Sequence, residues 1–155
     1  MRCLAVGSGR PVGALILAAT IAAFTIGVAA PADATASLAK AWGANTSGQL
    51  GDGTSEGPEK CGAEPEACST TPIEVSKLTG VTAVSAGGGE AQSKGWGLAL
   101  LENGTVMAWG LNGDEELGNG SKENSDVPVA VSGLNEVTAI SAGQGQHSLA
   151  LLKNG

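Results

Sequence analysis

The feature that most constrains this chain is that it repeats itself. Val137-Thr138-Ala139-Ile140-Ser141-Ala142-Gly143 restates Val81-Thr82-Ala83-Val84-Ser85-Ala86-Gly87. Leu149-Ala150-Leu151-Leu152-Lys153-Asn154-Gly155 restates Leu98-Ala99-Leu100-Leu101-Glu102-Asn103-Gly104, and Ala108-Trp109-Gly110 restates Ala41-Trp42-Gly43. Self-similarity of this kind fixes the architecture as stacked units before any single residue is considered. The spacing is 67 residues between the tryptophans Trp42 and Trp109, 56 between Pro72 and Pro128, and 51 between Asn103 and Asn154. It contracts by 11 at a cysteine-bearing stretch and by 5 near Glu90–Gly95, which leaves an underlying period of 51. Loops that lengthen on an unchanged framework are surface loops.

Each unit predicts short strands cut by glycine. Val81–Ala86 and Val137–Ala142 alternate apolar and small polar residues, as a half-buried strand does. Leu98–Leu101 and Leu149–Leu152 are apolar runs that end at Asn-Gly, a hairpin signal in which both turn residues take φ > 0. Thr105–Trp109 reads as the returning strand, and Ile73–Val75 and Val127–Val131 supply a fourth. Helical periodicity appears nowhere after residue 34. Four antiparallel strands in about 51 residues describe one β-propeller blade. The fold class is therefore all-β, with about two blades and Trp42 and Trp109 as residues that pack them.

Ile140-Ser141-Ala142-Gly143, His147-Ser148-Leu149-Ala150-Leu151, Asn154-Gly155, Ala41-Trp42-Gly43 and Gly48-Gln49-Leu50-Gly51 together closely resemble the regulator-of-chromosome-condensation repeats, over residues 38–155. The resemblance implies a seven-bladed propeller, which needs roughly 350 residues at this period. The expectation is therefore the N-terminal part of a longer chain. Leu38–Trp42 would be a closing strand for the last blade. Units of this kind are stabilised mostly by their neighbours, so two alone leave an apolar edge that invites association.

Residues 1–34 read as a helical signal peptide. Arg2 and Arg10 precede an apolar run over 12–30, and Ala32-Asp33-Ala34 is a small-residue exit. Cleavage falls after Ala34, or after Ala36. The competing reading is an uncleaved anchor, because the run approaches the ~20 residues that span a bilayer. Without residues 1–34 the chain keeps 6 basic and 14 acidic residues, a net charge of −8. That argues against nucleic acid, which needs clustered Lys and Arg. Export to an oxidising compartment makes Cys61 and Cys68 most simply a disulfide. A metal site would need more ligands than two thiols, and the spacing is not that of a redox C-x-x-C pair.

Few residues stand out as sites, and none forms a catalytic, cofactor-binding or metal-ligating set. His147 is the only histidine. Its counterpart in the earlier unit is Trp96, so the position reads as structural. Trp96 belongs to an atypical insert, Glu90–Trp96, and is expected to be an exposed loop aromatic, a candidate partner contact. Asp114-Glu115-Glu116 stands where the earlier unit has Ser47-Gly48-Gln49. If Gly48 needs φ > 0, Glu115 must take the strain or reshape the turn. The stretch is then either a degenerate loop or an acidic contact for a basic partner or cation, although no calcium loop is visible. Asn45, Asn103 and Asn119 match the glycosylation pattern, in turns that favour Asn anyway.

The function class expected is a non-enzymatic, secreted or cell-surface scaffold for an unidentified protein partner, touching membrane only through an uncleaved signal segment. The resemblance also implies two alternatives, nucleotide exchange on a small GTPase or inhibition of a secreted β-lactamase. An export signal and an acidic surface disfavour the first. A third reading is a repeat stalk in a larger surface protein.

Overall fold

A computed structural model describes residues 38–88 and 94–155. The segment expected to be a signal peptide lies outside these residues, as do 89–93, which hold the first part of the insert near Glu90–Gly95. Among the described residues nine strands form three antiparallel sheets. The central sheet is a meander of β4 (Val81–Gly88), β5 (Gly95–Leu101), β6 (Val106–Gly110) and β7 (Ser125–Ala130), in that order. The first sheet has β1 (Lys40–Ala44) beside β3 (Glu66–Glu74), with β2 (Glu59–Cys61) on the far side of β3. The third has β8 (Val137–Ala142) and β9 (Ser148–Leu152). The fold is all-β, and the central sheet has the strand count and order of one propeller blade.

The repeat in sequence is a repeat in register. Lys40↔Glu74, Ala41↔Ile73 and Gly43↔Ser69 in β1–β3 recur as Met107↔Ala130, Ala108↔Val129 and Gly110↔Ser125 in β6–β7. Even the irregularities recur. The ladder slips between Ala41 and Gly43 and between Ala108 and Gly110, and again between Val81 and Ala83 and between Val137 and Ala139. At the slips that follow Ala41 and Ala108 the extra residues lie on β3 and β7, where 70–72 and 126–128 stand opposite a single residue, and Gly43 and Gly110, where pairing resumes, take φ 107° and 103°. β1 and β3 are thus the third and fourth strands of one unit, and β8 and β9 the first and second of another.

Sheets stack through the alternate faces of β5. Trp96, Leu98 and Leu100 face Val137, Ile140 and Ala150 of the third sheet. Ala99 and Leu101 face Ala39, Val75 and Leu78 on the first-sheet side, with Trp109 beside them. Both faces of β5 are buried, so its side chains form a continuous apolar run.

The hairpin turn differs from the predicted pair of positive-φ residues. Gly104 has φ 77°, but Asn103 is not in that region. Its carboxamide oxygen instead accepts from Thr105 N at 3.1 Å and Thr105 Oγ1 at 2.7 Å. Asn can bond its own backbone two residues on, and here that bond closes the turn.

Two expectations about tryptophan fail together. Trp96 is not an exposed loop aromatic. It lies in β5 with 1% of its surface exposed, because the strand resumes at Gly95 and turns this side chain toward the next sheet. Trp42 is not a packing residue among the described residues. It is 66% exposed, while its repeat counterpart Trp109 is 4% exposed. Trp109 lies over Gly97 of β5 and Gly51 of the preceding unit, and nothing described stands in those places for Trp42.

Candidate functional site

The loop between β6 and β7 is built around one buried amide. Asn112 is fully buried, and its Nδ2 donates to Ser121 O at 2.9 Å and Glu123 O at 3.0 Å. Its Oδ1 accepts from Leu117 N at 2.9 Å. Asn45 does the same in the earlier unit, donating to Thr54 O and Glu56 O and accepting from Leu50 N. Carbonyls inside a tight loop need a donor that sequence-local backbone cannot supply, and a buried carboxamide offers donors and an acceptor at once. Sequence reasoning missed both roles. The signal was there, since Asn45 and Asn112 stand at the same offset as the two tryptophans. A wholly buried Asn45 is also no glycosylation acceptor in the folded chain.

On this frame sit the three acidic residues, and they do not share one environment. Glu115 takes φ 65°, against 76° for Gly48, so the turn is kept and the glutamate carries the strain. Its side chain is exposed and reaches Lys122 Nζ at 3.4 Å. Asp114 is exposed and accepts a hydrogen bond from Gln146 Nε2 across the cleft. Glu116 is only 3% exposed and is not a surface contact. Its Oε2 accepts from Asp114 N at 2.9 Å, the role that Gln49 Oε1 plays toward Ser47 N at 2.7 Å. Gln and Glu share that acceptor, which is why the loop tolerates the exchange. Glu116 Oε1 has no hydrogen-bond partner among the described residues.

The cleft beside this loop has a volume of about 490 Å³ and lies against β8 and β9, with Glu116, Leu117, Ile140 and Ser148 in its lining. Trp96 Nε1 donates to Ser148 Oγ at 2.9 Å, and Ser148 Oγ donates to Glu116 O at 3.1 Å. The three residues form a relay from β5 to β9 to the loop. His147 is exposed, with Nδ1 hydrogen-bonded to Gly145 O at 3.1 Å, and its ring covers Gly143 as the Trp96 ring covers Gly87. The neighbouring hydroxyl, that of Ser148, donates to Glu116 O rather than to the imidazole.

Cys61 and Cys68 are joined in a disulfide, with Cα atoms 5.9 Å apart, at the end of the β2–β3 hairpin. Glu59 stands beside them. The sulfurs bond each other, so neither offers the thiolate a metal would need. The hairpin is the 11-residue lengthening seen in the repeat, added to the outer edge of β3.

Residues 41–90 and 103–151 match the family described as the regulator of chromosome condensation (RCC1) repeat. The chain belongs to the RCC1 repeat family. It is 33% identical over 117 residues to the E3 ubiquitin-protein ligase HERC2 of Mus musculus, and 33% identical over 116 residues to the mitochondrial RCC1 domain-containing protein RUG3 of Arabidopsis thaliana. Each match covers 74% of this chain, but only 2% of HERC2 and 22% of RUG3. The chain thus spans a small part of these relatives, and what it has in common with them is the RCC1 repeat.

Proposed function

We propose that this RCC1 chain is an exported, non-enzymatic scaffold whose sheets are blades of a β-propeller and whose loops bind another protein. The observation that carries the reading is the pair Asp114 and Glu115. They stand exposed on a loop that buried Asn112 and Glu116 hold in one shape. A contact surface gains from such rigidity, because little loop entropy is lost on binding. Their charge, and the acidic balance of the chain, select a partner with a basic face. The Cys61–Cys68 bridge supports export, since such bonds persist in oxidising compartments.

The test uses the exported chain, immobilised, and a partner recovered from the surrounding medium. Asp114→Lys with Glu115→Lys should abolish recovery, high salt should weaken it, and Glu102→Lys on the distant β5–β6 turn should leave it intact. Equal recovery by all three proteins would defeat the proposal. Export is tested by mass spectrometry of the N-terminus, with a protein beginning at Thr35 expected outside the cell.

A further inference from the structure

We infer that the β2–β3 hairpin carries a metal site that reduction uncovers. Once the Cys61–Cys68 bridge is opened, Cys61, Cys68 and Glu59 hold one thiophilic divalent cation, of which Zn2+ is the type. The inference does not rest on the partner reading of Asp114 and Glu115. It concerns the insert alone, which has no counterpart in the second unit, where no cysteine lies between Asn119 and Ser125.

The register brings the three side chains together. Glu59 pairs with Cys68 across the ladder, and Cys61 with Glu66. Residues directly opposite each other, and residues two apart on one strand, share a face. Glu59, Cys61, Glu66 and Cys68 are therefore the corners of one face, with the cysteines on one diagonal and the glutamates on the other. Lys60 belongs to the opposite face. The Glu59 carboxylate and the two sulfurs all lie within 4.8 Å of one another. Ligands of a tetrahedral zinc ion stand roughly 3.6–3.8 Å apart, given bonds of ~2.3 Å to sulfur and ~2.1 Å to oxygen. Side-chain rotation alone covers the difference once the sulfurs are free.

The frame of the site does not depend on the bridge. Cys68 lies in β3, and on the side away from β2 it pairs with Ala44 of β1. The neighbouring Ala67 O accepts from Asn45 N at 2.8 Å. The chain entering β2 is pinned by the buried Asn45, whose Nδ2 donates to Glu56 O at 2.9 Å. Gly57 then passes so close to Cys68 that a Cβ would come within 2.0 Å of its carbonyl oxygen. These contacts keep Glu59 and Cys61 near Cys68 without the disulfide. Cys68 is buried, Cys61 half-buried and Glu59 exposed, so the ion enters beside the carboxylate and keeps a position for water.

The chemistry balances with a dithiol as reductant. It gives two electrons and two protons to the bridge and leaves as its own disulfide, and Cys61 and Cys68 become thiols. The cation then accepts a lone pair from each sulfur and from Glu59, and the two thiol protons are released. Thiolates select zinc over calcium or magnesium, which take oxygen donors. Bridge and ion are thus alternative clasps for one hairpin.

The test uses the purified 155-residue chain, reduced with a phosphine so that no added thiol competes, and titrated with Zn2+ or with Co2+ for its spectrum. The reduced chain should bind one ion and show a thiolate-to-cobalt charge-transfer band, and the oxidised chain should do neither. Zinc should restore the exchange protection of Lys60 and Ala67 that reduction removes, while Leu98 and Ala108 stay protected throughout. Cys61→Ser with Cys68→Ser should lose the binding, and because it keeps Cys3 it corrects for that thiol. Glu59→Gln should weaken affinity about tenfold or more, since even the outer partners of metal ligands are worth that much. Glu64→Gln removes the same charge from the hairpin turn and should leave affinity unchanged. An oxidised chain that binds as well as the reduced one, a double serine variant that binds like wild type, Glu59→Gln no weaker than Glu64→Gln, or a hairpin that zinc does not protect would overturn the assignment.

Discussion

Trp96 and Ser148 are separated by 52 residues in the chain and by 2.9 Å in the fold, the indole Nε1 donating to the hydroxyl oxygen. That bond fastens the central sheet to the third sheet and, through Ser148 and Glu116 O, to the acidic loop. Trp96 therefore positions the loop from beneath.

Trp96→Ala should cost about 3–5 kcal/mol, since it removes a fully buried aromatic and leaves a cavity between sheets. Trp96→Phe should cost less, with about 1 kcal/mol of the loss from the missing donor to Ser148. Urea denaturation of the protein measures both. Equal costs for Ala and Phe would mean that the packing account is wrong.

Asn112→Ala should destabilise by at least about 2 kcal/mol, because Leu117 N and two loop carbonyls lose a buried partner together. Asn112→Asp should do no better, since a carboxylate has no donor to give to Ser121 O and Glu123 O. Hydrogen exchange at the Leu117 amide reads the effect directly, and unchanged protection would count against the role given to Asn112.

Glu115→Gly and Gly48→Ala should move stability in opposite directions. Both positions take a left-handed backbone, at φ 65° and 76°. Releasing Glu115 should stabilise by about 0.5–1 kcal/mol. The exposed ion pair to Lys122 is worth little against that. At Gly48 a Cβ would come within 2.6 Å of Asp126 Cα, so Gly48→Ala adds a clash to the strain and should cost more than about 2 kcal/mol. Thermal melts of the two variants decide the matter. A destabilised Glu115→Gly would show that the glutamate earns its place.

Reducing the Cys61–Cys68 bridge should open the β2–β3 hairpin without melting the central sheet. Closing so short a loop contributes about 2.5 kcal/mol in the chain-entropy account. The hairpin lies on the outer edge of β3, away from both apolar cores. Exchange protection should fall at Lys60 and Ala67 and persist at Leu98 and Ala108. Loss at all four would mean that the insert supports the core.

The period, the strands and the family were legible in the residues alone, because they rest on local signals: glycine at turns, apolar alternation, and motifs recurring at fixed spacing. The disulfide was legible in the same way, from two cysteines in one insert. Burial was not. Trp42 and Trp109 share a motif, and Leu149 and Leu98 share another, yet one of each pair is exposed and the other buried. The same holds for Glu116, which sits in an acidic triplet that looks solvent-facing but is turned inward to cap its own loop. A repeat unit buries its faces against the unit beside it, so identical residues meet different surroundings according to what is stacked next to them. Local sequence encodes the unit, and only the packed sheets decide which of its side chains become core.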